Sequence, residues 1–338
     1  VLDIDKYKKE LSHYLNNADN ILLICHVNPD GDAAGSMLAF YHYLNSRGKN
    51  TSMISPNYLQ EFLTWMNGSD RINIFIRDRK KCRELIENAD LIIMFDFNQS
   101  NRLGEAEKYV LKSKAKKVII DHHLNSESFS NLLISDHTRS STSELVHELV
   151  SAISEGHFVD KNYSEAIYVG IITDTGNFEH GYFNGKTFRI IADLFDTGID
   201  KDKINDLLFN NFSESRIRLL GYSIYERMVL LPEFHTAYIY LTLADLERFN
   251  YRKGDTEGFV NLPLSIKGID FSTLITERED NIKLSFRSKG DFSVSEFAEK
   301  YFNGGGHYNA AGGESNDSLE NTIKHFLEAL KKERGNDA

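Results

Sequence analysis

Leu91-Ile92-Ile93-Met94-Phe95-Asp96 runs five apolar residues straight into a carboxylate. An apolar run this short reads as a strand buried on both faces, the kind found in a parallel sheet covered by helices. The arrangement recurs: Ile21-Leu22-Leu23-Ile24-Cys25 ends at His26, and Val118-Ile119-Ile120 ends at Asp121-His122-His123. Strands are expected at 21–25, 51–55, 90–95, 117–120 and 132–135, with helices near 35–46, 59–66 and 80–89 between them. The first half therefore reads as an α/β fold, a parallel sheet with flanking helices. In such open sheets ligands gather beyond the carboxyl ends of strands. His26, Asp96 and Asp121, far apart in sequence, should meet along one edge.

Beyond residue 141 the apolar period becomes helical, over 142–153, 164–172 and 186–195. At 338 residues two unequal domains are expected: 1–200, then a charged helical connector over 201–232, then a smaller α/β domain over 233–338. In the latter, strands are expected at 235–243, 271–276 and 283–287, and helices at 255–266, 293–302 and 319–334. The tail 335–338 should be frayed.

The formal net charge of −11 argues against a broad basic surface that tracks long nucleic acid. It leaves room for a short phosphorylated ligand, because bound cations and a few arginines reverse the potential locally. The two cysteines, Cys25 and Cys82, form no disulfide framework and fit a reducing cytoplasm, with Cys25 a buried strand residue. No apolar segment approaches membrane-spanning length, and the polar start lacks a signal-peptide profile. A cytoplasmic protein without membrane contact is expected.

Four aspartate-centred patches carry the chemistry: His26-Val27-Asn28-Pro29-Asp30-Gly31-Asp32, Asp96, Asp121-His122-His123 and Thr173-Asp174-Thr175. Carboxylates and imidazoles are costly to crowd together unless a cation neutralises them. Together the patches hold enough oxygen and imidazole donors for two divalent ions, the apparatus for hydrolysing a phosphate ester. Pro29 restricts the first loop and Gly31 is expected to allow an unusual backbone angle, so that Asp30 and Asp32 point to neighbouring ions. A capped helix start with surface aspartates would leave His26 and the doubled Asp unexplained. Asp96 is placed to bridge both ions. Adjacent side chains at a strand end diverge, so one of His122 and His123 can bind metal while the other meets substrate, with Asp121 accepting from an imidazole. Arg102 is long enough to reach a phosphate, though a lone arginine is usually a solvated side chain. His137 and His180 are weaker candidates, and His13, His42, His147 and His325 read as surface or satisfied core residues.

In the distal part, Arg287 offers a planar fork suited to phosphate oxygens. The Gly304-Gly305-Gly306-His307 segment lets backbone amides approach a phosphate beside a histidine that can donate. A flexible loop after a helix is the plainer reading of these glycines, and the histidine that follows at once counts against it.

These motifs resemble the DHH phosphoesterase family, named for the triplet at Asp121-His122-His123. The segments HVNPDGDAAGS (26–36), Asp96, the triplet, Ser141-Thr142-Ser143-Glu144 and GIITDTGNF (170–178) fall in the family's order. GGGHYNAAG (304–312) with Arg287-Ser288 looks like the DHH-associated C-terminal domain. The combination is most similar to bacterial nanoRNases that also dephosphorylate adenosine 3′,5′-bisphosphate (pAp). The resemblance implies that His26, Asp30 and Asp96 hold one Mn²⁺ and that Asp32, Asp96, His122 and Asp174 hold the other. It implies that His123 leans on the scissile phosphate, supported by Asp121. Arg287 and His307, with Ser288, Gly305 and Gly306, would grip the substrate. Tyr308 and Asn309 depart from the family, where other residues, proline among them, are common. A homodimer is implied by the resemblance alone.

The expected protein is a Mn²⁺-dependent enzyme, with Mg²⁺ the other possible ion, that cleaves short oligonucleotides to mononucleotides and converts pAp to AMP. Two imidazoles lean toward a transition metal. A phosphodiesterase acting on cyclic dinucleotides or linear pNpN would use the same metals. A RecJ-like exonuclease would want a basic groove with aromatic stacking. An inorganic pyrophosphatase would carry a different distal domain, and a non-catalytic nucleotide sensor would have lost ligands.

Overall fold

In a computed structural model the apolar runs become two six-stranded sheets, one in each of two units, Val1–Asn211 and Phe212–Ala338. The structure describes residues 3–123, 129–156, 158, 160–179, 181–210 and 212–335. His180, the tail beyond Gly335 and the side chain of His307 lie outside the described residues.

The first unit comprises α1 (Ile4–Asn16), β1 (Asn20–Cys25), α2 (Gly31–Ser46), β2 (Asn50–Ser55), β3 (Asn73–Ile74), α3 (Arg79–Glu87), β4 (Leu91–Phe95), α4 (Glu107–Lys112), β5 (Lys116–Asp121) and β6 (Leu132–Ser135). It continues through α5 (Thr142–Ile153), α6 (Lys161–Asp174), α7 (Gly185–Asp196) and α8 (Lys201–Phe209). The sheet is parallel throughout, in the order β3-β2-β1-β4-β5-β6. Successive strand side chains alternate between two cores. Leu23, Ile93 and Ile120 pack under α2, α5 and α6, while Leu22, Ile92 and Ile119 pack on the opposite face with Cys82 and Val110. Strand order reverses between β1 and β4, the topological switch point where such folds bind ligands. There Cys25 pairs with Phe95, and Phe95 with Ile120. His26, Asp96 and Asp121 follow in register at that edge.

The second unit comprises α9 (Glu214–Glu226), β7 (Met228–Leu231), β8 (Thr236–Leu241), α10 (Leu243–Arg248), β9 (Phe271–Glu277), β10 (Ile282–Ser288), α11 (Val294–Tyr301), β11 (Gly305–His307), β12 (Ala310–Ser315) and α12 (Leu319–Arg334). Its mixed sheet runs β11-β12-β10-β9-β8-β7, with β8 and β9 parallel and the other pairs antiparallel. A phenylalanine-rich core of Phe271, Phe286, Phe297, Phe302 and Phe326 seats α11 and α12 on one face.

Several expectations are corrected. The stretch 201–232 is not one helical connector: α8 belongs to the first unit, and α9 and β7 to the second. The segment 59–66 contains only a 3₁₀ turn, Glu61–Leu63, which lacks a side-chain cap and stops before Gly68 in the left-handed region (φ 88°). The segment 255–266 likewise yields a 3₁₀ turn, Phe259–Ser265, because Gly258 is left-handed and Pro263 has no N–H for an α-helical ladder. Helix α1 was not anticipated; Asp3 caps it and it buries Leu11 and Leu15. Gly31 opens α2 with an ordinary helical backbone, and its need is close approach, since a Cβ would collide with the Thr173 side chain. The unusual angles fall on Asn28 (φ 49°) and Asp96 (φ 65°) instead. The edge strand β11 in the glycine-rich segment, paired with β12, was not anticipated.

Candidate metal centre

His26 leaves β1 fully buried, and its Nδ1 donates to the Val27 carbonyl at 2.7 Å. That bond assigns the proton to Nδ1 and turns Nε2 toward Asp96 Oδ2 (3.2 Å) and Asp30 Oδ2 (3.7 Å). Asp30 is also the N-cap of α2, accepting from Ala33 N at 2.9 Å. Asp32, in the first turn of α2, is held from another element: its carboxylate accepts from Thr142 N (2.7 Å) and Ser143 N (2.8 Å) at the start of α5. The positive end of a helix suits a carboxylate there. Gly170 on α6 makes room for this contact, because a Cβ would press on the Ser143 side chain and on Asp32 Oδ1.

Asp96 sits in the left-handed region, a strained conformation for a residue other than glycine. Its amide donates to Ile120 O (3.0 Å), its carbonyl accepts from Arg102 Nη1 (3.1 Å), and its Oδ1 accepts from Thr142 Oγ1 (2.9 Å). His122 repeats the tautomer device of His26. Its Nδ1 meets the Arg139 carbonyl (3.3 Å), leaving Nε2 near Asp174 Oδ2 (3.3 Å), Asp96 Oδ1 (3.8 Å) and Asp32 Oδ2 (3.9 Å). The turn bearing that carbonyl is clamped by ion pairs from Arg139 to Asp136 (3.2 Å) and Glu148 (2.7 Å), and Glu148 also meets Lys186 (2.8 Å). His123 points Nδ1 at Asp121 Oδ1 (2.7 Å), with Asp96 Oδ1 at 3.3 Å.

The electrostatics follow from this crowding. Burial alone would lower His26, but the Asp30 and Asp96 carboxylates reverse it and push it up to about 9. Burial also opposes charge on His123, and Asp121 and Asp96 push it up to about 11. Asp32, buried and beside Asp96, is raised to about 7. Asp96 is held well below the usual carboxylate range despite its burial, through His123 and His26. Protons on imidazoles are thus balancing carboxylate charge, which is the task a divalent cation performs at such a site.

Three groups of donor atoms, each within 4.8 Å of one another, can hold a metal ion: His26, Asp30 and Asp96; Asp32, His122 and Asp174; and Asp96, His122 and His123. Carboxylate oxygens with imidazole nitrogens suit a divalent metal ion. All six residues expected to bind metal come together, with Asp121 and His123 beside them. Arg102 is engaged by the Asp96 carbonyl, a role its sequence position did not reveal. His137 is exposed on the turn after β6.

The remaining expected residues lie in the second unit. Arg287 on β10 donates from Nη1 to the Phe286 carbonyl (2.9 Å), and burial lowers its pKa. Ser288 donates to the Phe292 carbonyl (2.7 Å) and accepts from Asn309 Nδ2 (2.9 Å). Gly305 and Gly306 lie on β11, and register sets Arg287, Ala310 and His307 in one row across β10, β12 and β11.

Sequence reasoning picked out Thr142 and Ser143 only as part of a family segment, without their contacts to Asp32 and Asp96, and missed Arg139. The Ser141-x-x-Glu144 spacing marks a helix start, and Ser141 does accept from Glu144 N (3.0 Å). The Glu144 carboxylate turns to Ser140 N (3.0 Å) and Thr187 Oγ1 (3.1 Å) instead of completing the box. That α5 would be aimed at Asp32 has no local signal.

Residues 20–171 match the DHH family, N-terminal domain, and residues 235–334 match the DHHA1 domain. The chain therefore belongs to the DHH family and is a metal-dependent phosphoesterase, a hydrolase of phosphoester bonds. It is 30% identical over 309 residues to the bifunctional oligoribonuclease and PAP phosphatase NrnA of Bacillus subtilis (strain 168), covering 90% of this chain and 92% of that one. A solved structure of an exopolyphosphatase-related protein from Bacteroides fragilis superposes with a TM-score of 0.96 at 41% identity, covering 98% of this chain and 97% of that one. The cyclic-di-AMP phosphodiesterase PdeA of Listeria monocytogenes serotype 1/2a (strain 10403S) is 26% identical over 95% of this chain and 48% of its own length. Among the described residues no helix is long and apolar enough to cross a membrane.

Proposed function

We propose that this chain is a Mn²⁺-dependent phosphoesterase that hydrolyses very short oligonucleotides to mononucleotides and removes the 3′-phosphate of pAp to give AMP. The observation that carries the chemistry is Asp96, shared by two donor groups at the switch point of the sheet. The substrate class is supported by the NrnA relative, which matches over nearly its whole length.

In this reading His26, Asp30 and Asp96 would hold one ion, and Asp32, Asp96, His122 and Asp174 would hold the other. When bound, two such ions favour hydroxide at neutral pH and stabilise the attacking and leaving oxygens of an in-line displacement. The chain's residues supply the rest. The Val27 and Arg139 carbonyls keep protons on Nδ1 of His26 and His122, so that both Nε2 atoms present lone pairs. Thr142 and Ser143 keep Asp32 aimed. His123, held by Asp121, donates a hydrogen bond to a phosphate oxygen. Arg287 grips the substrate phosphate, with Ser288, Gly305, Gly306 and His307 around it. Arg102 supports Asp96, so its loss should lower kcat more than it raises KM.

The test is turnover with Mn²⁺ on end-labelled di- to decanucleotides, pAp, cyclic dinucleotides and pyrophosphate. Fastest cleavage of dinucleotides, with release of AMP from pAp, is expected. A preference for cyclic dinucleotides would favour the second reading, a cyclic-dinucleotide phosphodiesterase, which the PdeA relative supports.

A further inference from the structure

The second unit carries a concentration of positive charge that its fold does not use. On β10, Lys283, Ser285 and Arg287 alternate with the core residues Ile282, Leu284 and Phe286, so all three project from the sheet face opposite α11 and α12. Lys283 and Arg287 are four residues apart, about 13 Å along the strand. Arg278, from the turn after β9, and Lys253, from the segment after α10, bear on the same ammonium. Burial and the fields of Arg278, Arg287 and Lys253 lower the Lys283 pKa, against the opposing pull of Glu257. Among the described residues neither Lys283 nor Arg287 forms an ion pair, although register sets Glu314 of β12 opposite Lys283. In a chain of net charge −11, three separate segments bring cations to one place. Such crowding is unfavourable unless an anion relieves it.

The floor between the two cations is low. Across β12, Ala310 stands opposite Arg287 and Gly312 opposite Ser285. Unlike Gly304, Gly306 and Gly313, whose missing Cβ is demanded by close backbone or ring contacts, Gly312 has room for one: the nearest atom would be the Leu284 carbonyl oxygen at 3.6 Å. Packing does not require a glycine there, and its effect is to keep the strip between Lys283 and Arg287 open.

We propose that Lys283, with Arg278 and Lys253 at its margin, forms a second phosphate subsite on this face, one that takes a further phosphate of an oligonucleotide whose first is held at Arg287. This rests on the functional reading above and deepens it, since the subsite is used by a phosphodiester chain and not by a nucleoside bisphosphate. The spacing from Lys283 to Arg287 is too long for the two phosphates that flank a single ribose, so oligonucleotides with three or more successive phosphates gain from Lys283, and pAp, with two, does not.

The test compares the full chain with Lys283→Ala, Lys283→Arg and Gly312→Ala, with Lys332→Ala on α12 as a control outside the strip. Fluorescence anisotropy with labelled tri- and tetranucleotides, with EDTA present to stop turnover, gives the dependence of log K on log salt. KM for pAp is measured with Mn²⁺. Lys283→Ala should reduce the salt slope for the oligonucleotides by about 0.7, the value for one lost phosphate contact on a single strand. Lys283→Arg should restore it, Gly312→Ala should weaken oligonucleotide binding at unchanged melting temperature, and KM for pAp should stay constant throughout. An unchanged slope in Lys283→Ala, or an equal rise in KM for pAp, overturns the subsite while leaving the functional reading in place. Failure of the unaltered protein to turn over any oligonucleotide with Mn²⁺ overturns both.

Discussion

Asp96 concentrates more of the chemistry than any other residue described. Three imidazoles, a threonine hydroxyl and an arginine converge on it, and its backbone is held in a left-handed conformation. Asp96→Ala should lower Mn²⁺ affinity and dinucleotide turnover by more than the roughly 10–100-fold typical of residues that only support metal ligands. Calorimetric titration and turnover measure the two effects, and retained turnover would refute the metal reading. Glu148→Gln acts one step back, by loosening the Arg139 turn whose carbonyl orients His122. A loss of about tenfold in Mn²⁺ affinity at unchanged far-UV circular dichroism is expected. The histidines set a pH dependence. The folded values of His26 and His123, about 9 and 11, lie above the ordinary 6.5. In metal-free protein the stability they contribute is fully present below about pH 6.5 and is lost as pH rises through 9 and then 11. Cation binding at His26 Nε2 must displace its proton, so Mn²⁺ affinity should rise with pH up to about 9. Titrations in buffers of different ionisation enthalpy should show net proton release; a pH-independent affinity would contradict this.

At the scale of elements, the site depends on how closely α2, α5 and α6 approach. Gly31 and Gly170 permit that approach. Gly170→Ala would drive a methyl group against Ser143 and Asp32, with a cost of about 1–3 kcal/mol from overpacking. Thermal unfolding should show the loss, accompanied by weaker Mn²⁺ binding because Asp32 is displaced. Elements with strong apolar periods were legible: β6, α5 and α12 begin and end where their sequences predict. The 3₁₀ turns at 61–63 and 259–265 were not, because their apolar residues do mimic a helical period. Gly68, Gly258 and Pro263 decide the backbone instead. The edge strand at Gly305–His307 was not anticipated for a related reason: glycine suits a loop and a tightly packed edge strand equally well, and only the partner strand distinguishes them.

At the scale of the molecule, each unit has its own apolar core, and the candidate metal ligands belong to none of them. Chelation should therefore abolish turnover while leaving far-UV circular dichroism essentially unchanged; extensive unfolding on metal removal would show that the cation is part of the fold. The sequence by itself determined the buried parallel strands, their helical covering and the acidic and imidazole residues at the strand ends. Those properties rest on hydrophobic period and strand length, which are local. Tertiary structure alone decided that α5 meets Asp32 across 110 residues, that the Arg139 carbonyl sets the His122 tautomer, and that Arg102 serves Asp96. Hydrogen-bond partners so distant in the chain, or reached through a backbone carbonyl that every residue carries, leave no pattern in sequence. They exist only once packing has brought the elements together.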